Sequence, residues 1–211
     1  MPRTKVKVSL RLTQCLLFAS AAILLGSCAF VSIDTWLFQH RESGNLDRLQ
    51  KIPTVPGSTA VAPEGLIGRL EIPRLGLSVM LMEGDDTKTL RRAVGHIPGT
   101  TLPGRPGNFA LSGHRDTFFR PLRNIRDGDI IVVTTLKGEF HYRVVSTRVV
   151  SPDAVAVLKA SHGEILTLVT CYPFYFVGAA PDRFIVRAER LPAIPPRSMS
   201  SVAPGPGGLN L

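Results

Sequence analysis

The chain begins with one long apolar run and continues with a series of short ones. Residues 12–33 contain no charged side chain and are rich in Leu, Ala, Ile and Phe. At a helical rise of 1.5 Å per residue this run is roughly 33 Å long, enough to cross the hydrocarbon core of a bilayer. The pattern therefore predicts a transmembrane segment over residues 12–33.

The short apolar runs after residue 64 predict a mostly β domain. Turn-forming Gly, Pro, Asn and Asp residues separate them, and several alternate in polarity, as Phe140, Tyr142 and Val144 do. The runs that predict strands are 66–72, 77–81, 108–112, 130–135, 139–150, 165–170 and 183–189. About seven strands favour a closed or nearly closed β-barrel, or a sandwich. Short helical insertions are expected over 86–93, 121–125 and 152–160.

These patterns divide the chain into five segments. We expect a basic cytoplasmic N-terminus over 1–11, an anchor over 12–33, an extracytoplasmic spacer over 34–63, a folded domain over 64–191 and a disordered Pro/Gly/Ser-rich tail over 192–211.

Positive charge before the apolar run favours a single-pass anchor with its N-terminus in the cytoplasm. Two alternatives to an uncleaved anchor are a signal peptide, whose apolar core is usually shorter, and a lipoprotein processed at Cys28. All three place the folded domain outside the cytoplasm.

The net charge of the chain is weaker evidence for a nucleic-acid partner than its size suggests. The chain carries +9 from 25 basic and 16 acidic residues, but 64–191 holds 17 basic and 13 acidic residues, a net charge of +4. Part of the excess thus lies in the N-terminal segment, which weakens the case for a nucleic-acid partner.

Cys171 is the cysteine that the apolar anchor does not account for. Cys15 and Cys28 lie in the apolar run, and no CxxC pair or metal quartet is present, so neither a zinc site nor a disulfide framework is indicated. Cys171 ends the predicted strand 165–170, and Pro173 stops the ladder two residues later. A thiol at a strand exit can be reached by a substrate, although a lone cysteine is more often a small buried hydrophobe.

His114 is the candidate base for this thiol. It follows the apolar stretch 108–111 and so lies at another strand exit. A cysteine nucleophile needs a basic partner, since the thiolate attacks, and the same imidazole can protonate a departing amine. His96, in a Gly/Pro-rich loop, is its main rival, whereas His40, His141 and His162 suit surface or structural positions better.

Arg183 is the candidate electrophilic group. If the strands before and after residues 172–182 pair as antiparallel neighbours, Arg183 lies beside Cys171, where a guanidinium can stabilise an oxyanion. Three further residues are weaker candidates: Asp116 to orient His114 or cap its turn, Thr170 to line a substrate groove through its hydroxyl, and Phe174 to pack against substrate or core.

Three segments resemble the signature segments of one family. Thr167-Leu168-Val169-Thr170-Cys171, Gly113-His114 and Arg183-Phe184-Ile185-Val186 resemble those of sortases, the membrane-anchored cysteine transpeptidases of bacterial envelopes. The resemblance covers about residues 66–190 and keeps the order His, Cys, Arg. Residues 113–119 and Cys171-Tyr172-Pro173 are most similar to class D.

This resemblance implies an eight-stranded β-barrel with its site at one rim. It also implies cleavage of a C-terminal Leu-Pro-x-Thr-Gly-like sorting signal of substrate proteins after its Thr. Cys171 would form the acyl-thioester, His114 would act as general acid/base and Arg183 would stabilise the transition state. An amine from a cell-wall precursor or a protein would resolve the thioester, and no metal or organic cofactor is required.

Two other functions stay open at this point. One is a non-catalytic, envelope-anchored β-barrel that binds or assembles partners. The other is an L,D-transpeptidase, which places a His-Gly unit shortly before its Cys. Here His162-Gly163 precedes Cys171 by eight to nine residues, and the Cys-Val-Arg run typical of that class is missing.

Overall fold

The computed structural model describes residues 2–51 and 65–192. A single long helix, α1 (Pro2–Lys51), precedes the folded domain. It contains the apolar run, whose side chains over 12–33 are all exposed, and it is long and apolar enough to cross a membrane. Residues 52–63 of the expected spacer and 193–211 of the expected disordered tail lie outside the described residues.

Residues 65–192 form a closed barrel of eight strands, which confirms the mostly β fold. The strands are β1 (Leu66–Ile72), β2 (Leu77–Glu83), β3 (Val94–His96), β4 (Gly107–Ser112), β5 (Ile130–Thr135), β6 (Gly138–Val150), β7 (Glu164–Tyr172) and β8 (Asp182–Arg190). Around the barrel the order is β1-β2-β3-β4-β7-β8-β6-β5, and β5 closes onto β1. Closure leaves no open sheet edge.

Strand directions bring the chemically interesting loops to one end of the barrel. These directions follow from the strand pairing. The pair β4–β7 is parallel, whereas the antiparallel pairs are β7–β8, β6–β8, β5–β6, β1–β5 and β1–β2. Consequently β1, β4, β6 and β7 end at the same rim, here called the upper rim. The turn after β1, the β4–β5 connection and the β7–β8 loop all meet there.

Three of the four short helical elements in residues 65–192 overlap the predicted segments 86–93, 121–125 and 152–160, and the sequence does not predict the fourth, Pro73–Leu75. Helix α2 (Thr87–Arg92) is capped by Asp86, whose side chain accepts from the backbone N–H groups of Lys88 and Thr89. Three 3₁₀ turns lie within connections: Pro73–Leu75 after β1, Arg120–Asn124 between β4 and β5, and Val155–Leu158 between β6 and β7.

The barrel interior holds the hydrophobic core. Alternate residues of the strands point inward, as Leu166, Leu168 and Val186 do, and Phe119 and Leu122 from the β4–β5 connection close the upper rim. These two residues are fully buried, so the connection that carries His114 is packed onto the core and does not hang free in solvent.

Residues 34–51 of the predicted spacer continue α1 and pack on the barrel. Leu46 is fully buried against Leu66 and Met80. Gln39 accepts a 2.9 Å hydrogen bond from the backbone N–H of Met80 and donates a 2.6 Å one to the carbonyl of Arg92. The sequence predicts a spacer here because residues 40–63 are polar and contain Pro, Gly and Ser.

Candidate active site

Cys171 and Arg183 lie directly opposite each other at the upper rim. They are register partners in the antiparallel pair β7–β8. Directly opposed residues share a face of the sheet, with Cβ atoms about 5 Å apart. Cys171 is a free, half-buried thiol. The other arginine of the strand, Arg187, pairs with Thr167, which lies four positions before Cys171. The register therefore brings together the two residues that the sequence places twelve apart.

The Arg183 guanidinium is only partly committed to the protein. Its Nη1 donates to the carbonyls of Asp182 at 3.0 Å and Ala180 at 3.4 Å. Within residues 65–192 these are its hydrogen bonds, so further N–H groups are free to donate to a substrate oxygen. A guanidinium held at a sheet rim by the carbonyls of preceding residues is suited to meet a developing oxyanion.

His114 lies at the end of the neighbouring strand, in a turn fastened to β7. The backbone N–H of Gly113 donates to the carbonyl of Val169 at 3.1 Å, which continues the parallel β4–β7 ladder by one residue. The carbonyl of His114 accepts from the N–H of Phe119 at 3.0 Å. The imidazole is exposed at the rim that carries Cys171. The three residues of the predicted constellation thus follow or flank adjacent strands β4, β7 and β8.

Thr170 supports this turn from inside the barrel. Its hydroxyl was expected to line a substrate groove, but it is 2% exposed and donates a 2.7 Å hydrogen bond to the carbonyl of Gly113. Neighbouring positions of a strand face opposite sides of the sheet, so Thr170 points inward while Cys171 points outward. The hydroxyl therefore holds β7 and the His114 turn together.

Asp116 and Phe174 are placed differently from one another. Asp116 is exposed, and within the described residues its side chain makes no hydrogen bond or ion pair, so neither orientation of His114 nor a turn cap is seen. Phe174 packs against the core, with its ring 5.3 Å from that of Phe184. The large hydrophobic side chains of this loop that face solvent are Tyr175, Phe176 and Val177, which are 75%, 45% and 95% exposed.

Two arginines of the β4–β5 connection hold the β7–β8 loop, a contact that sequence reasoning missed. Arg115 Nη2 donates to the carbonyls of Phe176 at 2.7 Å and Gly178 at 2.9 Å. Arg123 Nη1 donates to the Tyr175 hydroxyl at 2.8 Å. The acceptors of Arg115 are backbone atoms, which no side-chain pattern discloses. The loop that follows the thiol is thereby tied to the segment that carries His114.

His96, the rival base, is engaged as a structural residue. It is 3% exposed, and its Nδ1 and Nε2 lie 2.9 Å from Glu83 Oε2 and 2.9 Å from Thr100 Oγ1. His162 precedes β7, whose seven steps from Glu164 to Cys171 span about 23 Å at strand rise. It is therefore far from the thiol, and the geometry favours His114 as the partner of Cys171.

Across the described residues, no group of three or more His, Cys, Asp or Glu side chains is arranged to hold a metal ion. Cys171, His114 and Arg183 place a thiol, an imidazole and a guanidinium at the upper rim.

Comparison with known proteins gives a consistent result. Residues 70–191 match the family described as Sortase domain. Sortase D of Bacillus subtilis (strain 168) is 39% identical over 125 residues, which are 59% of this chain and 63% of that protein. The chain thus spans less than two thirds of that relative's length. The match agrees with the class D resemblance.

Solved structures share the fold. A Clostridium perfringens Sortase D5 transpeptidase is 31% identical with a TM-score of 0.55, and the match covers 61% of this chain and 79% of that one. Sortase A from Corynebacterium diphtheriae is 30% identical with a TM-score of 0.59, and the match covers 64% of each chain.

Proposed function

Because the chain belongs to the sortase family, we propose that it is a membrane-anchored cysteine transpeptidase. It cleaves a Leu-Pro-x-Thr-Gly-like sorting signal after Thr and transfers the acyl group to an amine of the cell envelope or of another protein. The observation that carries this proposal is the direct pairing of Cys171 with Arg183 beside the turn of His114.

The first half-reaction forms the acyl-enzyme. The Cys171 thiolate attacks the carbonyl carbon of the substrate Thr, and Arg183 donates hydrogen bonds to the oxygen that gains negative charge. When the tetrahedral intermediate collapses, the C–N bond breaks. His114 gives its proton to the departing amine, which leaves a thioester on Cys171 and a neutral imidazole.

The second half-reaction releases the product. The acceptor amine attacks the thioester carbon, its proton passes to His114, and the C–S bond breaks. Cys171 returns as a thiolate beside a protonated His114, so the enzyme ends in the state in which it began. The exposed apolar side chains of the β7–β8 loop, Tyr175, Phe176 and Val177, suit the Leu-Pro part of the signal.

Helix α1 supplies the membrane attachment in this proposal. The exposed apolar stretch over 12–33 crosses the bilayer, and the positive charge before it keeps the N-terminus in the cytoplasm. The barrel then lies outside the cytoplasm, where sorting signals and wall precursors are accessible. This orientation is tested by adding thiol and lysine reagents to the outside of intact cells and measuring whether they react with the barrel of the protein.

The experiment that tests the activity uses the full chain in detergent micelles with a pentapeptide library and an amine acceptor. We expect mass spectrometry to show a thioester on Cys171 and an amine-linked product. Cys171→Ala removes both, whereas Cys28→Ala keeps both. Unchanged product formation by Cys171→Ala would refute the proposal.

Substitutions of the other two residues test their roles. His114→Ala and Arg183→Ala each lower kcat/KM by about 10²–10³-fold, the scale of deleting one oxyanion donor or one general acid. His162→Ala is the matched control for His114→Ala, since it is an exposed histidine at the far end of β7. Equal losses in the two histidine variants would contradict the assignment.

A further inference from the structure

A cavity of about 530 Å³ opens at the upper rim, between the Pro73–Leu75 turn and the Arg120–Asn124 turn. Three of the side chains that line it are arginines, Arg74, Arg123 and Arg126. Nothing in the proposed acyl-transfer steps uses this cavity. Its basic lining raises the question of which substrate group it accepts.

Two of the three arginines keep their positive charge available. Arg74 is paired with the buried carboxylate of Asp129, which also accepts from the backbone N–H of Arg126 at 2.9 Å. Within the described residues, Arg123 contacts the neutral hydroxyl and ring of Tyr175, and the Arg126 guanidinium makes no hydrogen bond or ion pair. The exposed Asp127 does not line the cavity. The lining therefore carries an excess of positive charge.

The cavity adjoins the loop that leaves the nucleophile. Arg123 lines it and also contacts Tyr175, which follows Cys171 by four residues. At most about 14 Å of extended chain separates the Cα atoms of Cys171 and Tyr175. The contact with Tyr175 thus places Arg123 beside the loop that begins after Cys171, at the same rim as the thiol.

We propose that this cavity binds a carboxylate or phosphate group of the amine acceptor. The proposal rests on the proposed transpeptidase function and specifies its second substrate. The Leu-Pro-x-Thr-Gly-like signal has no charged group at its defined positions, so free guanidinium groups fit the acceptor better than the signal. Guanidinium pairs bind carboxylate and phosphate through charge-assisted hydrogen bonds, and exposed positive charge raises the local concentration of an anionic acceptor.

The test compares three acceptors that share a six-carbon chain: hexylamine, 6-aminohexanoate and 6-aminohexyl phosphate. With the full chain in neutral detergent and a saturating sorting peptide, we expect a lower acceptor KM for the two anionic amines. The better of the two identifies the group, carboxylate or phosphate. Arg126→Gln raises the KM of the anionic acceptors by about tenfold, as loss of one charge-assisted contact implies, and leaves that of hexylamine unchanged.

Matched variants separate a bound anion from a general charge effect. Arg120→Gln removes an exposed arginine of the same turn that does not line the cavity, and it should leave acceptor selectivity unchanged. Arg126→Glu should reverse the preference for anionic acceptors. Identical selectivity in the wild type, Arg126→Gln and Arg126→Glu would overturn the inference, as would an equal change in Arg120→Gln.

Failure of the proposed function gives a different result. If no thioester forms on Cys171 with any peptide, the transpeptidase proposal fails. If the thioester forms and acceptors are not discriminated, only the present inference fails. A direct titration of 6-aminohexanoate and inorganic phosphate, followed by NMR of arginine side-chain resonances, keeps the binding test independent of turnover. Saturable shifts that Arg126→Glu abolishes support the site, and their absence overturns it.

Discussion

Gly113 determines where the His114 turn lies, because a larger side chain would collide with Phe119. A Cβ built on Gly113 would stand 2.7 Å from the Phe119 ring, which is fully buried in the core. We expect Gly113→Ala to destabilise the protein by about 1–3 kcal/mol through overpacking. It should also lower kcat, since the turn that carries His114 must shift.

Gly163→Ala is the control for that substitution. A Cβ at Gly163 would meet nothing within 4 Å. Urea unfolding and transpeptidation assays on both variants give the comparison. If Gly113→Ala left stability and kcat at wild-type values, the tight packing beneath His114 would not matter for the site.

A second prediction for a single residue concerns Thr170, whose hydroxyl donates a hydrogen bond to the carbonyl of Gly113. Thr170→Val keeps the branched shape but leaves that buried carbonyl without this donor, so we expect a loss of about 1–3 kcal/mol in unfolding free energy and reduced activity. Thr134→Val is the control, because the Thr134 hydroxyl is buried with no hydrogen-bond partner among the described residues. Thr134→Val should be neutral or stabilising. Equal losses in both would show that valine itself causes the effect.

The candidate site illustrates what residue patterns disclose. Cys171, His114 and Arg183 could be named from the sequence because each follows or begins a recognisable strand. The role of Thr170 could not, since a threonine in a strand satisfies β propensity whether its hydroxyl meets substrate or backbone. The loop contacts of Arg115 were equally hidden, because its acceptors are carbonyls 61 and 63 residues away.

Among the elements, the turn after β1 and the start of β5 are joined by one ion pair. Arg74 donates to both carboxylate oxygens of Asp129, and the Arg74 guanidinium, followed by the Arg126 backbone N–H, lowers the pKa of Asp129 below its ordinary value. Because the folded-state pKa is depressed, this pair stabilises the fold above the ordinary aspartate pKa of about 3.9. The contribution disappears as the pH falls through the lowered pKa.

Asp129→Asn should therefore lower the unfolding free energy at pH 7 and lose this effect in acid. In acid the wild-type carboxyl is protonated and the ion pair is absent in both proteins. Urea unfolding at a series of pH values between 7 and 2 measures the difference, with the exposed Asp127→Asn as the control. A difference between wild type and Asp129→Asn that stayed constant down to the most acid pH would contradict the assignment.

Element by element, periodicity identified seven of the eight strands but not β3. Val94–His96 is three residues long and has a glycine at its centre, too short for an alternating pattern. Its pairing with β2 and β4 defines it, and these contacts are long-range. Gly95 is needed there because a Cβ would stand 2.3 Å from the carbonyl oxygen of Gly84.

At the scale of the whole molecule, α1 and the candidate active site occupy different parts of the barrel. Helix α1 contacts the start of β1, the middle of β2, the end of β5 and α2, through Leu66, Met80, Thr135 and Arg92. Cys171, His114 and Arg183 lie at the upper rim, toward which β1 runs and from which β5 departs. The helix therefore leaves the upper rim uncovered, so a peptide can approach the thiol.

The docking of α1 also predicts that the proposed anchor keeps a fixed orientation relative to the barrel. Arg92 pairs with Asp34 at 3.0 Å and 3.2 Å, and Gln39 links the backbones of β2 and α2. Gln39→Ala would leave the N–H of Met80 and the carbonyl of Arg92 without this partner. We expect it to cost about 1–3 kcal/mol.

Hydrogen exchange on the full chain in micelles measures the effect. In Gln39→Ala the Met80 amide should exchange faster than in the wild type, and protection should fall along residues 34–51 while β7 and β8 keep theirs.

Asn45→Ala is the control, because Asn45 is an exposed residue on the same helix and has no hydrogen-bond partner within the described part of the chain. If Gln39→Ala and Asn45→Ala exchanged alike, residues 34–51 would act as a free tether, and the barrel could rotate on its anchor. Loss of protection confined to Gln39→Ala means instead that a rigid helix sets the orientation of the upper rim relative to the membrane.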